Sequence, residues 1–269
     1  MRVATALALA ALLLPACGSG DESAGGIAPT STASEQALRL VAVGDSIPTN
    51  DPLVCRGCTG FVDRYAAAVE KATGEPVQVE NLTQPGSTLP ELVAGLDGLR
   101  APLENADVIL VGIAHNSNEL ASDRPCGKPR IGESPDWAAM TERCAKRSAA
   151  DARPLYDRVF SGIAGLRRGK PTILRTINRY NDWNGLVNAH LTPAQERATA
   201  VFVREWNAVL CASAKANGFG CADISKAFNG PAGLKRSGPL LAPDYTHPSD
   251  AGNAVIARTL AALGFAPLS

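Results

Sequence analysis

The chain has 269 residues, and its 26 lysines and arginines are balanced by 26 aspartates and glutamates. A balanced charge gives no indication of nucleic-acid binding, which needs a basic surface, and the sequence therefore predicts no nucleic-acid partner. The residues that follow position 36 are enough for one α/β domain with a sizeable buried core.

The first 17 residues are predicted to be an export signal. Met1 and Arg2 precede a short apolar run over residues 3–14, and small residues then lead to Cys17. A basic start, a short apolar run and small residues before the cleavage site are typical of a secretory signal. The run is too short to span a membrane stably, since a spanning helix needs about 20 apolar residues.

The end of this signal, L-P-A-C at residues 14–17, resembles a bacterial lipobox. The resemblance implies that Cys17 carries a lipid and anchors the protein on the outer face of the cytoplasmic membrane. The alternative is an ordinary signal peptide with an incidental cysteine, which implies a secreted protein. Residues 18–36 are rich in small and polar residues and are predicted to be a flexible tether. Residues 37–269 are then the folded domain.

Apolar runs alternate with amphipathic stretches along this domain. Strands are predicted over residues 38–43, 77–82, 107–113, 172–177 and 219–224. Helices are predicted over residues 61–72, 89–99, 149–166, 192–217 and 251–263. The intervening residues 114–148 form a long polar segment without regular structure in this interpretation. Strands that alternate with helices indicate a parallel sheet covered on both faces.

Polar and glycine residues follow most of the predicted strands. Ser46 comes after the first strand, Gly86 after the second and Asn116 after the third, while Asp244 and His247 come after the fifth. In parallel sheets, ligand sites gather beyond the carboxyl ends of the strands. We therefore expect these five residues to meet at one edge of the sheet.

Three of these residues have the chemistry of a nucleophilic site. The hydroxyl of Ser46 is a weak nucleophile until a base removes its proton. His247 suits that task, and Asp244, three residues earlier, can orient the imidazole ring and stabilise its protonated form. On one turn of helix, positions three apart lie on the same side, so this spacing makes a joint role easy.

Six cysteines remain after Cys17, and an even number in an exported chain favours disulfides. Sequential pairing is favoured because each pair flanks one predicted loop: Cys55 with Cys58, Cys126 with Cys144, and Cys211 with Cys221. A bridge that closes the second loop contributes about 3 kcal/mol in the chain-entropy model. Two alternatives are a thioredoxin-like redox motif at Cys55 and Cys58 and, less favoured, a zinc site.

Four blocks of the sequence resemble the SGNH (GDSL-type) hydrolases, and together they cover nearly the whole domain. The blocks are V-A-V-G-D-S at 41–46, N-L-T-Q-P-G-S-T at 81–88, V-G-I-A-H-N at 111–116, and D-Y-T-H-P at 244–248 followed by Gly252 and Asn253. The third block departs from the family pattern Gly-x-Asn-Asp, because it reads A-H-N-S. The resemblance implies a three-layer α/β/α sandwich with a flavodoxin-like, five-stranded parallel sheet.

The resemblance also implies a role for each site residue. Ser46 would be the nucleophile, His247 the base and Asp244 its orienting partner. The backbone N–H groups of Ser46 and Gly86 and the side-chain amide of Asn116 would form the oxyanion hole. The function implied is a serine ester hydrolase of the esterase or lipase type, acting on a small-molecule or lipid ester. No metal or organic cofactor is implied, and a monomer is expected.

Several interpretations stay open at this stage. A carbohydrate O-acetylesterase or a thioesterase would use the same residues, and fold does not decide between them. A non-catalytic binding lipoprotein and a thiol–disulfide oxidoreductase are alternatives from other functional classes. Among the aromatic residues, Tyr180, Trp183 and Trp206 are candidates to line an acyl pocket, although core packing is the favoured role for Trp206.

Overall fold

A computed structural model of the protein describes residues 37–114, 116, 126, 138–185 and 191–269, except for the side chains of residues 184 and 185. The chain divides into two compact units, residues 1–34 and 35–269, and every described residue belongs to the second. The predicted export signal, tether and Cys17 therefore lie outside the described residues, as does His115 of the third block.

The described residues form one parallel sheet of five strands in the order β2-β1-β3-β4-β5. The strands are β1 (Leu38–Gly44), β2 (Val77–Asn81), β3 (Val108–Gly112), β4 (Ile173–Ile177) and β5 (Gly220–Ala222). This is the flavodoxin-like order, and its direction of winding reverses between β1 and β3. The predicted fold is confirmed, and the reversal point is where such sheets bind ligands.

Seven α-helices cover the sheet within the described residues. They are α1 (Phe61–Thr73), α2 (Leu89–Gly95), α3 (Arg100–Glu104), α4 (Glu142–Leu166), α5 (Pro193–Ala216), α6 (Ile224–Asn229) and α7 (Asp250–Ala261). Two short 3₁₀ helices lie at Asp182–Gly185 and Gly238–Leu240. None of the described helices is both long and apolar enough to cross a membrane.

The core has two parts, one on each face of the sheet. Along β1, Val41 and Val43 pack towards α4 and α5, whereas Leu40 and Ala42 pack towards α1 and α7. Alternate residues of a strand point to opposite faces, so a run of apolar residues is needed when both faces are covered. All five residues of β3 are buried for this reason.

Two helix predictions need correction, and helices α3 and α6 were not predicted. The helix predicted over 149–166 begins seven residues earlier, at Glu142, where the hydroxyl of Thr141 caps it by accepting from the N–H of Cys144. The helix predicted over 89–99 ends at Gly95, and a separate α3 follows. Glycine is a poor helix former, and two glycines lie in this stretch. Helix α6 was not predicted, because six residues are too few to establish a helical period.

The three disulfides are those that the sequence favours: Cys55–Cys58, Cys126–Cys144 and Cys211–Cys221. In each pair the Cα atoms lie 5.5 Å apart, as in ordinary disulfides. The third bond joins α5 to β5, and the second joins residue 126 to the first turn of α4. The zinc interpretation is wrong, since all six thiols are paired.

Candidate active site

Glycines let the end of β1 lie very close to β3. Gly44 pairs with Gly112 in the sheet and adopts a φ of 141°, a conformation open to glycine. A Cβ atom on Gly44 would lie 2.0 Å from the carbonyl oxygen of Gly112. This close packing sets the direction in which the chain leaves the sheet towards Asp45 and Ser46.

The buried carboxylate of Asp45 then fixes the turn that carries Ser46. One oxygen accepts a hydrogen bond from the backbone N–H of Ile47 at 2.9 Å. The other accepts from the N–H of Ala114 at 3.2 Å, just beyond β3. Burial raises the pKa of the Asp45 carboxyl, although the charge of Arg179 and these two hydrogen bonds oppose the shift. Asp45 thus ties the chain after β1 to the chain after β3.

A buried arginine lies within electrostatic reach of this carboxylate. The guanidinium of Arg179, which follows β4, pairs with Asp182 at 2.8 Å, and both side chains are largely buried. The positive charge of Arg179 also interacts with Asp45. A buried charge is tolerated when it is paired. The positive charge of Arg179 therefore stabilises both carboxylates.

Asp244 and His247 form the closest side-chain contact of the site. The Nδ1 atom of His247 lies 2.5 Å from a carboxylate oxygen of Asp244. The other carboxylate oxygen accepts from the backbone N–H groups of Thr246 and His247, each at 3.1 Å. The turn is not helical as the spacing suggested, because Tyr245 adopts a left-handed φ of 58°. The contact follows instead from the carboxylate closing a tight turn of its own backbone.

Partial burial raises the pKa of the Asp244 carboxyl, but the opposing influences are stronger. The hydrogen bonds from His247 and Thr246 and the charge of His247 bring that pKa below its ordinary value. Asp244 is therefore ionised at neutral pH. An ionised carboxylate at Nδ1 holds the imidazole with its other nitrogen, Nε2, available to act as a base.

Ser46 and His247 line the same small cavity, which has a volume of about 10 Å³. Asn50, Val54 and Cys55 contribute to its wall. The partly exposed Ser46 thus opens onto a space that it shares with the histidine. The Cys55–Cys58 disulfide holds one side of this space.

Gly86 and Asn116 lie next to each other at the same edge of the sheet. Gly86 has a left-handed φ of 78° in the turn after β2. That turn is joined to β1 by a hydrogen bond of 2.9 Å from the N–H of Gln84 to the carbonyl of Gly44. The side-chain amide of Asn116 donates to the carbonyl of Ser87 at 2.6 Å. The glycine turn and the asparagine are thus held together beside the turn that carries Ser46.

The structure brings the five predicted site residues to the sheet edge between β2 and β4. Of the predicted cysteines, Cys55 borders the cavity. The Cys126–Cys144 and Cys211–Cys221 disulfides crosslink other parts of the domain. Among the described residues, no group of acidic, histidine and cysteine side chains is arranged to hold a metal ion.

Arg179 was missed as part of the site, and Tyr180 was given a different role. The interpretation of Tyr180 as part of an acyl pocket is wrong, because its side chain is fully buried and its hydroxyl donates to the carbonyl of Thr246 at 2.6 Å. Their position in the sequence could have indicated a role at the site, because both residues lie just after the end of β4. Trp206 packs in the core as favoured.

Comparisons with known proteins agree with the fold. The model of the GDSL-like Lipase/Acylhydrolase family matches residues 42–255. A search of curated proteins found no match. Among solved structures, a lipase from a goat rumen metagenome is 21% identical, with a TM-score of 0.65, over 87% of this chain and all of that one.

Two Streptomyces structures are also similar. An extracellular lipase from Streptomyces rimosus is 19% identical with a TM-score of 0.57, and the match covers 84% of this chain and 99% of that one. Phospholipase A1 from Streptomyces albidoflavus NA297 is 17% identical with a TM-score of 0.56 over the same shares of the two chains. At these identities the likeness shows the fold alone. Because the family model spans well over half of the sequence, the chain belongs to the GDSL-like Lipase/Acylhydrolase family and is an ester-hydrolysing enzyme.

Proposed function

We propose that the protein cleaves carboxylic acyl esters by transferring the acyl group to Ser46 and then to water. The contact between Asp244 and His247, together with the cavity that His247 shares with Ser46, is the observation that carries the proposal. The family match and the enzyme class support it.

The first half of the reaction forms an acyl-enzyme. The Oγ atom of Ser46 attacks the ester carbonyl carbon while Nε2 of His247 takes the hydroxyl proton. The carbonyl π electrons move to oxygen and produce a tetrahedral oxyanion. When the carbonyl re-forms, the bond to the alcohol oxygen breaks, and the protonated His247 gives its proton to the leaving alcohol. Asp244 stabilises the imidazolium but takes no proton itself.

The second half repeats these steps with water. His247 takes a proton from water, whose oxygen attacks the acyl carbon bound to Ser46. Collapse of the second oxyanion breaks the bond to Oγ, and the imidazolium returns the proton to Ser46. The products are a carboxylic acid and the free enzyme.

The oxyanion is stabilised by donors fixed before the reaction starts. We assign this task to the backbone N–H groups of Ser46 and Gly86 and to the side-chain amide of Asn116. The hydrogen bonds that join Asn116 to Ser87 and Gln84 to Gly44 support the assignment, because they keep these groups at fixed mutual positions. Preorganised donors are effective because they need no rearrangement as charge develops.

Labelling with a fluorophosphonate probe tests the nucleophile. The wild-type protein is expected to take up one probe per chain and to hydrolyse p-nitrophenyl esters, and Ser46→Ala and His247→Ala are expected to lose both properties. Ser225→Ala is a matched control, because the hydrogen bond of Ser225 to Asn178 uses its backbone N–H, which alanine retains. Labelling that persists unchanged in Ser46→Ala would refute the assignment.

Esters of short acyl groups, including O-acetylated carbohydrates, are a second candidate for the substrate. The observation that favours them is the size of the cavity shared by Ser46 and His247, about 10 Å³, which is room for roughly one water molecule. A chain-length series of p-nitrophenyl esters, run beside an acetylated polysaccharide and a thioester, separates these substrates. A kcat/KM that rises with acyl length argues for a lipase, and one that falls steeply after acetyl argues for an acetylesterase.

We also propose that the enzyme is exported and that Cys17 is lipidated. Three disulfides support export, since such bonds persist in oxidising compartments. Growth of an expressing bacterium with an alkyne-tagged fatty acid tests the anchor, with Cys17→Ser as the control. A wild-type protein that is secreted without the tag would favour the ordinary signal peptide instead.

A further inference from the structure

The chain beyond β4 continues as an extended segment held by side chains instead of a neighbouring strand. Strand β5 ends at Ala222, so the backbone of Arg179 has no strand partner on that side. Asn207 of α5 takes its place. Its side-chain oxygen accepts from the N–H of Arg179 at 2.8 Å, and its side-chain nitrogen donates to the carbonyl of Arg179 at 2.7 Å.

A second asparagine repeats this arrangement two residues later. The side-chain oxygen of Asn229 accepts from the N–H of Asn181 at 2.7 Å, and its nitrogen donates to the carbonyl of Asn181 at 3.3 Å. Asn229 is buried and also donates to the hydroxyl of Ser237 at 3.0 Å. The residue between the two clamped positions, Tyr180, is therefore held on both sides by backbone restraint.

The ring of Tyr180 is fixed as firmly as its backbone. It stacks on Phe228 with a centroid distance of 4.4 Å and an angle of 8° between the planes. The guanidinium of Arg179 lies 4.8 Å from the ring centroid. A fully buried and stacked ring has little freedom to move, so the position of its hydroxyl is set by the core.

That hydroxyl contacts the turn that carries the proposed base. It donates to the carbonyl oxygen of Thr246 at 2.6 Å. The N–H of the same peptide unit belongs to His247 and donates to Asp244 at 3.1 Å. The peptide between Thr246 and His247 is thus held at its oxygen by Tyr180 and at its nitrogen by Asp244. A peptide unit is planar, so two such restraints fix its orientation and the direction of the His247 side chain.

From these contacts we infer that Tyr180 is a positioning residue for His247: its hydroxyl, seated by Phe228 and the two asparagines, holds the turn at the orientation that proton transfer needs. The inference rests on the proposed role of His247. The turn needs such support because Tyr245 adopts a left-handed conformation that a tyrosine rarely takes.

Tyr180→Phe tests the inference, because it removes the hydroxyl and keeps the ring. With p-nitrophenyl acetate, kcat is expected to fall about tenfold, as for the loss of roughly 1.4 kcal/mol of stabilisation, while KM stays within about twofold of wild type. Tyr65→Phe is the matched control. Tyr65 lies on α1 and is also fully buried, but its ring packs against Phe265, and the kcat of this variant should not change.

A spectroscopic measurement separates positioning from a general loss of structure. The chain has 3 histidines, so the ring signals of His247 can be assigned by NMR with His247→Ala. Tyr180→Phe is expected to move the ring signals of His247, and Tyr65→Phe is expected to leave them in place. A folded Tyr180→Phe with wild-type kcat and unmoved His247 signals would overturn the inference.

Two further results keep the test decisive. If Tyr180→Phe does not fold, Phe228→Leu loosens the seat of the ring but keeps the hydroxyl, and unchanged kcat and His247 signals in that variant would contradict the inference. Failure of the proposed function is recognised separately, because it would appear as Ser46→Ala retaining full activity. Loss of activity in Ser46→Ala together with full activity in Tyr180→Phe would reject the role of Tyr180 alone.

Discussion

Gly44 and Gly112 approach each other so closely across β1 and β3 that a Cβ atom on Gly44 would lie 2.0 Å from the carbonyl oxygen of its neighbour. Real Cβ atoms do not come so near to backbone, and backbone in a sheet cannot move aside cheaply. Because Ser46 follows Gly44 by two residues, this contact supports both the fold and the direction of the turn that carries Ser46.

Gly44→Ala should therefore prevent stable folding or lower the melting temperature sharply. Gly165→Ala is the matched control, because Gly165 lies on an exposed part of α4 where an added Cβ meets nothing within 4 Å. Alanine there is expected to be neutral or to stabilise by up to about 1 kcal/mol. Thermal unfolding followed by circular dichroism compares the two, and wild-type stability of Gly44→Ala would contradict the packing argument.

Arg179→Met should destabilise the protein by about 3–5 kcal/mol, since it leaves the buried carboxylates of Asp45 and Asp182 without their cation. Arg204→Met is the control, because it makes the same substitution in a more exposed pair, with Glu205. Such a pair contributes about 1 kcal/mol or less. Urea unfolding at neutral pH measures both. Equal losses for the two variants would show that the Arg179 charge is not needed by its neighbours.

The fold was largely predictable because its signals are local. Each strand is a short apolar run, and the residues from Ser46 to Asn116 follow the strand ends, where a parallel sheet gathers its ligand sites. The contact between Asp244 and His247 was predictable from a spacing of three, although the conformation of Tyr245 was not, since nothing in the sequence marks a left-handed tyrosine.

What the sequence did not reveal depends on distant contacts. Tyr180 appears as an aromatic residue near a strand end, and only the fold shows that its hydroxyl meets the carbonyl of Thr246, 66 residues later. The electrostatic interaction between Arg179 and Asp45 also joins distant parts of the sequence. The early start of α4, by contrast, could have been predicted from the local sequence. Thr141 followed by Glu142 is a typical helix start.

Loss of the disulfides should destabilise the protein in the order of the loops that they close. The separations are 18, 10 and 3 residues for the bonds of Cys126, Cys211 and Cys55, respectively. In the chain-entropy model, replacing the first pair by serines should cost about 3 kcal/mol, and the last pair about 2 kcal/mol. Urea unfolding of the three double-serine variants measures this order, and a larger loss for the shortest loop would show that native-state contacts dominate.

Asn116→Ala should lower kcat for ester hydrolysis by about 10²–10³, the usual effect of removing one oxyanion donor. Asn105→Ala is the control, because the Asn105 amide donates to the carbonyl of Ala101 at the end of α3, away from the site. KM should change little, since the donor acts mainly in the transition state. An Asn116→Ala enzyme with wild-type kcat would remove Asn116 from the oxyanion hole.

Asp244→Asn should lower kcat by orders of magnitude, because the neutral amide neither stabilises the imidazolium nor enforces its tautomer. Asp97→Asn, which removes the same charge from an exposed loop, should leave kcat unchanged and so controls for net charge.

The stability of wild type relative to Asp244→Asn should also depend on pH. The folded-state pKa of Asp244 lies below its ordinary value of 3.8, so the ionised carboxylate stabilises the fold fully above that value.

That contribution is lost as the pH falls from 3.8 through the lowered pKa of the folded state. The free energy of unfolding of wild type should therefore exceed that of Asp244→Asn at pH 5 and pH 7, where the carboxylate is ionised. The difference should shrink at lower pH, once the carboxylate of wild type is protonated and its hydrogen bonds to His247 and Thr246 weaken. Urea unfolding of both proteins at pH 7, 5 and 3 measures the difference. A difference that grows towards pH 3 would mean that the folded state holds the proton on Asp244, and the ionised Asp244–His247 pair would have to be abandoned.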